Sequence, residues 1–528
     1  MVSSLIKITK KSIYLLLFCI LLYLLSRYII VGFGANSSYT PKLYANLLGV
    51  WNFRFSILLF AVFLSFFICS KISFWLFVFP ICVLSALYSP IASVYGAPDY
   101  QAFISFLATD FSEATEFLSL VPFKEYKRSF LILMLAFLSY FLARKLSIKP
   151  WRNKTYVLIA VALLILAVEP TQFIRKITDA YKEAQAQLKE LNKFVTTTSW
   201  HKSYFDGAPK DYILIIGESA RKDYFHSYGY PVSNTPFLDR NYSVMVDGMK
   251  AGGTYTIGSL TNMLTLPDKI KWQPKYDRTL IDLAKSAGIR TYWISSQGMV
   301  GKWDTPVSAI GKKADVVVFL NKGDYSTKNI SDYALLKPFR RALKNPTTQS
   351  RLIVLHTIGS HPDACNRTID FKNSYRVKDK NYEYLACYVS SIKKTDDFIG
   401  RVYEILRREE KRTGRPFSII YFSDHGQVHR VDNGKILLNN NVTSKFHYDI
   451  PLIKIDSDSK GSVILSSEKS GLNFTEGLAN WMGIRNSDIP SYDLFDGKSD
   501  PQDFGLKAKI ESIKTPMDRA IDLSPYID

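Results

Sequence analysis

The stretch Asp211-Tyr-Ile-Leu-Ile-Ile-Gly217-Glu218-Ser-Ala-Arg221 decides the fold. Five apolar residues, Tyr212 to Ile216, run unbroken into Gly217, the pattern of a strand buried on both faces that stops abruptly. The next residue is a carboxylate, Glu218. In open α/β sheets ligands gather just past the carboxyl ends of the strands, so Glu218 stands where chemistry is usually done. The plain alternative is an acidic residue in the first turn of a helix, favoured there by the macrodipole. The stretch alone leaves both readings open.

Outward from it, short apolar runs alternate with helical patterns. Strands are expected at Tyr212–Ile216, Thr291–Ile294, Val316–Leu320, Leu352–Leu355, Ser418–Phe422 and Leu452–Ile455. Helices are expected at about 278–287, 333–344, 381–409 and 472–482. That alternation predicts a mostly parallel sheet covered on both sides. Three strand ends carry ionisable residues: Gly217-Glu218, then His356-Thr-Ile-Gly-Ser-His361, then Asp424-His425-Gly426 with His429 close behind. A lone histidine is more often structural. Asp-His-Gly directly after a buried strand is more specific, because carboxylate and imidazole are the ligands of catalytic zinc, with one position left for substrate. Between the strands, Lys250-Ala-Gly-Gly-Thr254-Tyr255-Thr256-Ile-Gly-Ser259-Leu-Thr261 reads as a loop turning into a helix. A metal-bound hydroxyl there would lose its proton readily and attack phosphorus, whereas the modest reading is a Thr/Ser N-cap. The spacing does not say which hydroxyl would attack.

The N-terminal part is different in kind. The chain has 528 residues, 47% of them hydrophobic, and nearly all long apolar runs lie before residue 170. Apolar segments at about 13–33, 55–70, 73–94, 129–143 and 155–169 predict a five-helix transmembrane bundle over 1–170. Lys7, Lys10, Lys11, Lys71, Arg144, Lys145, Lys149, Arg152 and Lys154 fall on one side if the N-terminus is cytoplasmic, which puts everything after Glu169 outside. The first apolar run is too long, and lacks the small-residue cleavage site, for a signal peptide. An amphipathic linker helix with Phe173, Ile174, Ile177 and Tyr181 on one face is expected within 171–205, lying on the membrane surface. Residues 206–528 then form the soluble α/β domain. The charge balance, 67 Lys+Arg against 47 Asp+Glu for a net +20, suits an anionic partner, but with so apolar a chain nucleic acid is not the expected one. Cys19, Cys69 and Cys82 sit in apolar runs and behave as small hydrophobes. Cys365 and Cys387 are the pair in the polar half, a disulfide candidate in an oxidising compartment.

Taken together, Gly-Glu-Ser-Ala-Arg (217–221), Gly-Thr-Tyr-Thr (253–256), Leu-His-Thr-Ile-Gly-Ser-His (355–361) and Ser-Asp-His-Gly (423–426) resemble the membrane-anchored phosphoethanolamine transferases of the sulfatase/alkaline phosphatase superfamily, including those that modify lipid A. The motifs stand in the family's order, and the five-span N-terminal half is similar too. The resemblance implies zinc held by Glu218, Asp424, His425 and Thr256, with Thr256, the second Thr of Gly-Thr-x-Thr, also the nucleophile. It gives His361 the role of stabilising the phosphoryl group or assisting the leaving alcohol. It assigns Gln297 and Lys302 to the substrate phosphate, and Thr109 and Glu113, in the second external loop, to the donor lipid and its ammonium. A second histidine is implied, for which His429 and His447 both stand open, His447 slightly ahead. In three places the chain departs from the family: Gly252 and Asn262 replace a frequent cysteine pair, Ser105 replaces a frequent Asn, and the second histidine is oddly spaced.

The implied reaction moves phosphoethanolamine from phosphatidylethanolamine to Thr256 and then to lipopolysaccharide, on lipid A or a core sugar, by a monomeric enzyme of the bacterial inner membrane with its catalytic domain in the periplasm. The rivals are a phosphoglycerol transferase acting on a periplasmic glycan, and a membrane sensor with a metal-free, inactive domain. A sulfatase is disfavoured, because no Cys/Ser-x-Pro-x-Arg stretch occurs.

Overall fold

The computed structural model describes residues 2–33, 53–95, 121, 123–147, 169–193, 197–297, 306–321, 330–440, 443–459, 461–513 and 518–528, with a few single positions between 154 and 162. The chain divides into two compact units, and the division falls within the helix Glu169–Lys193, between Gln185 and Ala186.

In the first unit, three described helices are long and apolar enough to cross a membrane: Lys11–Gly32, Lys71–Ala92 and Tyr126–Leu146. Ser56–Phe67 is a shorter apolar helix. These match four of the five expected segments; the fifth, 155–169, lies almost wholly outside the described residues. Lipid is as apolar as leucine, so helices here must associate by close packing and by hydrogen bonds. Gly32 does the first: a side chain on it would begin 2.3 Å from the Ser85 hydroxyl. Ser85 does the second, donating to the Ile29 carbonyl at 2.8 Å. The linker helix is less a surface float than expected. Phe173 is buried, its ring 4.4 Å from Phe33 and 4.8 Å from Tyr88, while Ile174 and Tyr181 are exposed.

The second unit is built on an eight-stranded sheet. In chain order its strands are β1 (Asp211–Gly217), β2 (Val244–Val246), β3 (Arg290–Ser295), β4 (Val316–Phe319), β5 (Arg351–His356), β6 (Phe417–Ser423), β7 (Leu452–Asp456) and β8 (Val463–Leu465). The spatial order is β8-β2-β7-β6-β1-β5-β3-β4, and only β7 runs against the rest, so the sheet is mixed. Every expected strand is present. The two extra ones, β2 and β8, are three residues each and lie toward one edge; Val463 and Ile464 of β8 are about half exposed, and β2, though buried, is too short to show a pattern.

β1 is central and buried from end to end. Its side chains alternate between two cores: Tyr212, Leu214 and Ile216 face one, Ile213 and Ile215 the other. Fully burying each aliphatic side chain contributes about 1.5–3 kcal/mol, which favours the unbroken apolar run Tyr212–Ile216; the buried Asp211 at its start is paired with Arg351 at 2.6 Å. The helices Thr256–Met263, Leu280–Ser286, Pro306–Lys312 and Phe474–Trp481 carry residues of the first core; Leu336–Lys344 and Glu383–Thr413 carry those of the second.

Candidate active site

Register places the site. β1 pairs in parallel with β6 so that Gly217 lies opposite Ser423, which makes Glu218 and Asp424 the next residues on adjacent strands. On the other side Ile216 pairs with His356, bringing Thr357 to the same edge. Each strand stops where a polar side chain must turn out of the sheet.

Ligand atoms of Glu218, Asp424 and His425 all lie within 4.8 Å of one another, and all three residues are buried. His425 Nδ1 is 2.7 Å from the Gly426 carbonyl, to which it donates, leaving Nε2 as the lone-pair nitrogen. That nitrogen faces Glu218 Oε1 at 3.5 Å and Asp424 Oδ2 at 3.3 Å. Asp424 Oδ1 accepts from the Ser219 and His425 backbone N–H groups at 2.9 and 2.7 Å, but Oδ2 is buried without a hydrogen-bond partner. Two carboxylates and an imidazole lone pair thus converge, with no cationic side chain between them among the described residues. Burial, aided by the neighbouring Asp424 charge, pushes Glu218 up to about 6. Burial raises Asp424 to about 6 against its backbone hydrogen bonds, and it lowers His425 against the pull of Glu218. A divalent cation resolves all three penalties at once, and an O/N donor set of this kind suits zinc.

Thr256 opens the helix Thr256–Met263. Its hydroxyl lies 3.1 and 3.3 Å from the two Glu218 oxygens and 3.4 Å from His425 Nε2. Of the other hydroxyls in this stretch, Ser259 and Thr261 are spent on the Asp424 and Ile257 carbonyls at 2.6 and 2.7 Å. Gln297 approaches from the end of β3. Its amide donates to Glu218 Oε2 at 2.9 Å and to the Thr357 carbonyl at 2.8 Å, so both N–H groups help hold the Glu218 carboxylate in place.

The histidines divide. His361 Nδ1 donates to the Pro362 carbonyl at 2.6 Å; burial lowers its pKa, opposed by the Glu218 charge. The His447 ring centre is 6.4 Å from that of His425, but Nδ1 accepts from Ser444 N at 3.0 Å in a capping box and Nε2 donates to Asn440 Oδ1 at 3.1 Å. Burial pushes it down to about 3. His429 is turned elsewhere: Asp518 holds its Nδ1 at 2.6 Å and the Tyr224 hydroxyl meets its Nε2. Lys302, Thr109 and Glu113 lie outside the described residues. Cys365 and Cys387 are disulfide-bonded.

Sequence reading did not foresee the hydrogen bonds that hold the Glu218 and Asp424 side of the site. Ser219 sits at φ 58°, a strained conformation for a side-chain-bearing residue, and in it donates through its hydroxyl to Glu218 Oε1 at 2.7 Å. Ser259 donates to the Asp424 carbonyl at 2.6 Å and accepts from Gly252 N at 3.1 Å. Asn262 donates to the Gly252 carbonyl at 3.1 Å, tying together the two positions where the family often has cysteines. Buried Asp332 accepts from Ile358 N and Gly359 N at 2.8 and 3.0 Å, fixing the turn that precedes His361. The one signal was Ser331-Asp332 ahead of a helix, which reads as an ordinary cap.

The sulfatase family model matches residues 210–484. A Haemophilus influenzae protein named as a candidate phosphoethanolamine transferase is 44% identical over 368 residues, spanning 69% of this chain and 76% of its own. Phosphoethanolamine transferase OpgE of Escherichia coli is 29% identical over 436 residues, 77% of this chain and 80% of its own. The integral membrane lipooligosaccharide phosphoethanolamine transferase A of Neisseria meningitidis superposes on 89% of this chain and 96% of its own with a TM-score of 0.57, at 17% identity, a likeness of fold. With a sulfatase match over its soluble half and a relative of that identity and span, the chain belongs to the phosphoethanolamine transferases of the sulfatase family.

Proposed function

We propose that this transferase moves phosphoethanolamine from phosphatidylethanolamine to a lipopolysaccharide acceptor by way of Thr256, in the bacterial inner membrane with the catalytic domain in the periplasm. The observation that carries the reading is the Thr256 hydroxyl within 3.1–3.4 Å of two members of a buried ligand triad. Glu218, Asp424, His425 and Thr256 would hold zinc, which when bound lowers the pKa of a coordinated hydroxyl and polarises the phosphoryl group. The chain's own residues do the rest. Glu218 and His425 orient the Thr256 oxygen. That oxygen attacks phosphorus, the bond to the diacylglycerol oxygen breaks, and phosphoethanolamine is left on Thr256.

His361, with Nδ1 committed to Pro362, keeps the Nε2 lone pair to take the proton released from Thr256, pass it to the departing alcohol, and later take the acceptor's proton and return it to Thr256. Attack by the acceptor oxygen then frees Thr256. Glu113 and Thr109 serve the donor headgroup and Lys302 the phosphate. Anchoring fits the substrates, since both are membrane lipids and a tethered site meets them at high effective concentration. The test is transfer of labelled ethanolamine from phosphatidylethanolamine to purified lipopolysaccharide. Transfer by wild type and none by Thr256→Ala is expected. Wild-type label on a glycan but never on lipopolysaccharide would overturn the acceptor, and label from phosphatidylglycerol alone would overturn the donor.

A further inference from the structure

Arg221 stands three positions after Glu218, and its side chain is 1% exposed. Its guanidinium joins four stretches of chain. In its own turn, Nε and Nη2 donate to the Asp223 carboxylate at 2.9 and 2.6 Å. Nη1 donates to the Gln427 carbonyl at 3.3 Å, two residues past His425. The guanidinium carbon lies 4.3 Å from the centre of the Phe446 ring. Between these two stretches only glycine fits: a side chain on Gly426 would begin 2.2 Å from the Phe446 carbonyl oxygen and 2.8 Å from Arg221 Cγ.

The fourth stretch comes from the far end of the chain. Asp518 accepts from Nη1 on its carboxylate at 3.1 Å and from Nη2 on its carbonyl at 2.5 Å. The same carboxylate takes the backbone N–H and ring Nδ1 of His429 at 3.2 and 2.6 Å. A buried guanidinium has five N–H groups to satisfy and a charge to balance, and here Asp223, Gln427 and Asp518 meet both needs. Without Asp518, Nη1 and Nη2 each lose an acceptor and the charge loses one of its two carboxylates, so Arg221 would no longer be held in one place.

We propose that Asp518 is a positioning residue for the ion site. It fixes Arg221, and Arg221 sets the Glu218 turn and the Asp424–His425 loop at the separation their ligand atoms require. The inference rests on the reading that Glu218, Asp424 and His425 hold a divalent ion. Tyr526, farther along the same tail, supplies the control: it stacks on Tyr382 with ring centres 3.6 Å apart and secures the tail without touching Arg221.

The experiment uses the full chain in detergent and reads zinc affinity by competition with a chromogenic chelator, then kcat against zinc concentration. Asp518→Ala is expected to weaken zinc binding about ten-fold or more, as loss of a residue supporting metal ligands does, with kcat restored by excess zinc and KM for the lipid donor unchanged. Tyr526→Ala is expected to lower the melting temperature while binding zinc as wild type does. Should Asp518→Ala fail to fold, Asp518→Asn reads the same quantities in the same direction. Wild-type zinc affinity in the Asp518 variant, or an equal loss in Tyr526→Ala, overturns the proposal. A wild-type chain that binds no zinc overturns the ion reading itself.

Discussion

At the scale of single residues, the site is a problem in buried charge. Glu218 and Asp424 are both held up to about 6 by burial, and the Asp424 Oδ2 atom has no partner. Glu218→Ala should abolish stoichiometric zinc, measured by elemental analysis. Thr256→Ala should cost at least on the order of 10³-fold in transfer while leaving the fold intact, because a nucleophile has no substitute in its own step. Gln297→Ala removes a hydrogen bond to a charged carboxylate, worth about 1.5–3 kcal/mol, so transfer should fall roughly ten- to hundred-fold, with zinc affinity falling alongside. If Gln297 served only the substrate phosphate, KM would rise and zinc affinity would not change. Glu218 and the Asp424–His425 pair were legible because each follows a buried strand, whereas Thr256, at a helix start, was singled out only by the resemblance. Their supports were not: the Ser219 hydroxyl reaches only its neighbour Glu218, through an unusual backbone turn, while Ser259 and Asp332 bond main-chain groups 165 and 26 residues away, so each looks like any turn or cap residue.

At the scale of elements, two adjacent strand ends and one helix start make the site. The register of Gly217 against Ser423 is a consequence of alternating side chains that fill both cores, and a slip of one residue would exchange the faces. The central strands were therefore plain in the sequence. The edge strand β8 and its neighbour β2 were not, because strands of three residues are too short to show a period. The helix Thr256–Met263 is aligned by Ser259, whose hydroxyl meets both the Asp424 carbonyl and Gly252 N. Ser259→Ala leaves two buried groups unpaired at about 1–3 kcal/mol, so the soluble-domain melting temperature should drop, and transfer should fall by more than the lost folded fraction explains. An activity loss equal to the unfolded fraction would reduce Ser259 to a packing residue.

At the scale of the whole molecule, the chain couples an apolar helical unit to an α/β unit of opposite character, and composition alone marked that division. The disulfide Cys365–Cys387 fastens the loop after His361 to the long helix Glu383–Thr413, closing 22 residues of separation. Chain entropy puts its contribution at about 3 kcal/mol, so reduction should lower the soluble-domain melting transition. Acid should act as well. His356 is pushed down to about 3 by burial, below its ordinary 6.5. A depressed imidazole contributes stability that is complete above 6.5 and is lost as pH falls toward 3, because the unfolded chain takes up the proton first. At pH 5 that loss is about 2 kcal/mol. His356→Gln should flatten the acid limb of stability followed by tryptophan fluorescence; an unchanged limb would assign it to other groups.

The account stands most directly on the passage of phosphoethanolamine through one threonine. Purified enzyme incubated with phosphatidylethanolamine and no acceptor, quenched and digested, should yield the peptide containing Thr256 heavier by one phosphoethanolamine group, and adding lipopolysaccharide should discharge it. Transfer in full-strength enzyme with that peptide never modified, or with the group found on another residue, would contradict it.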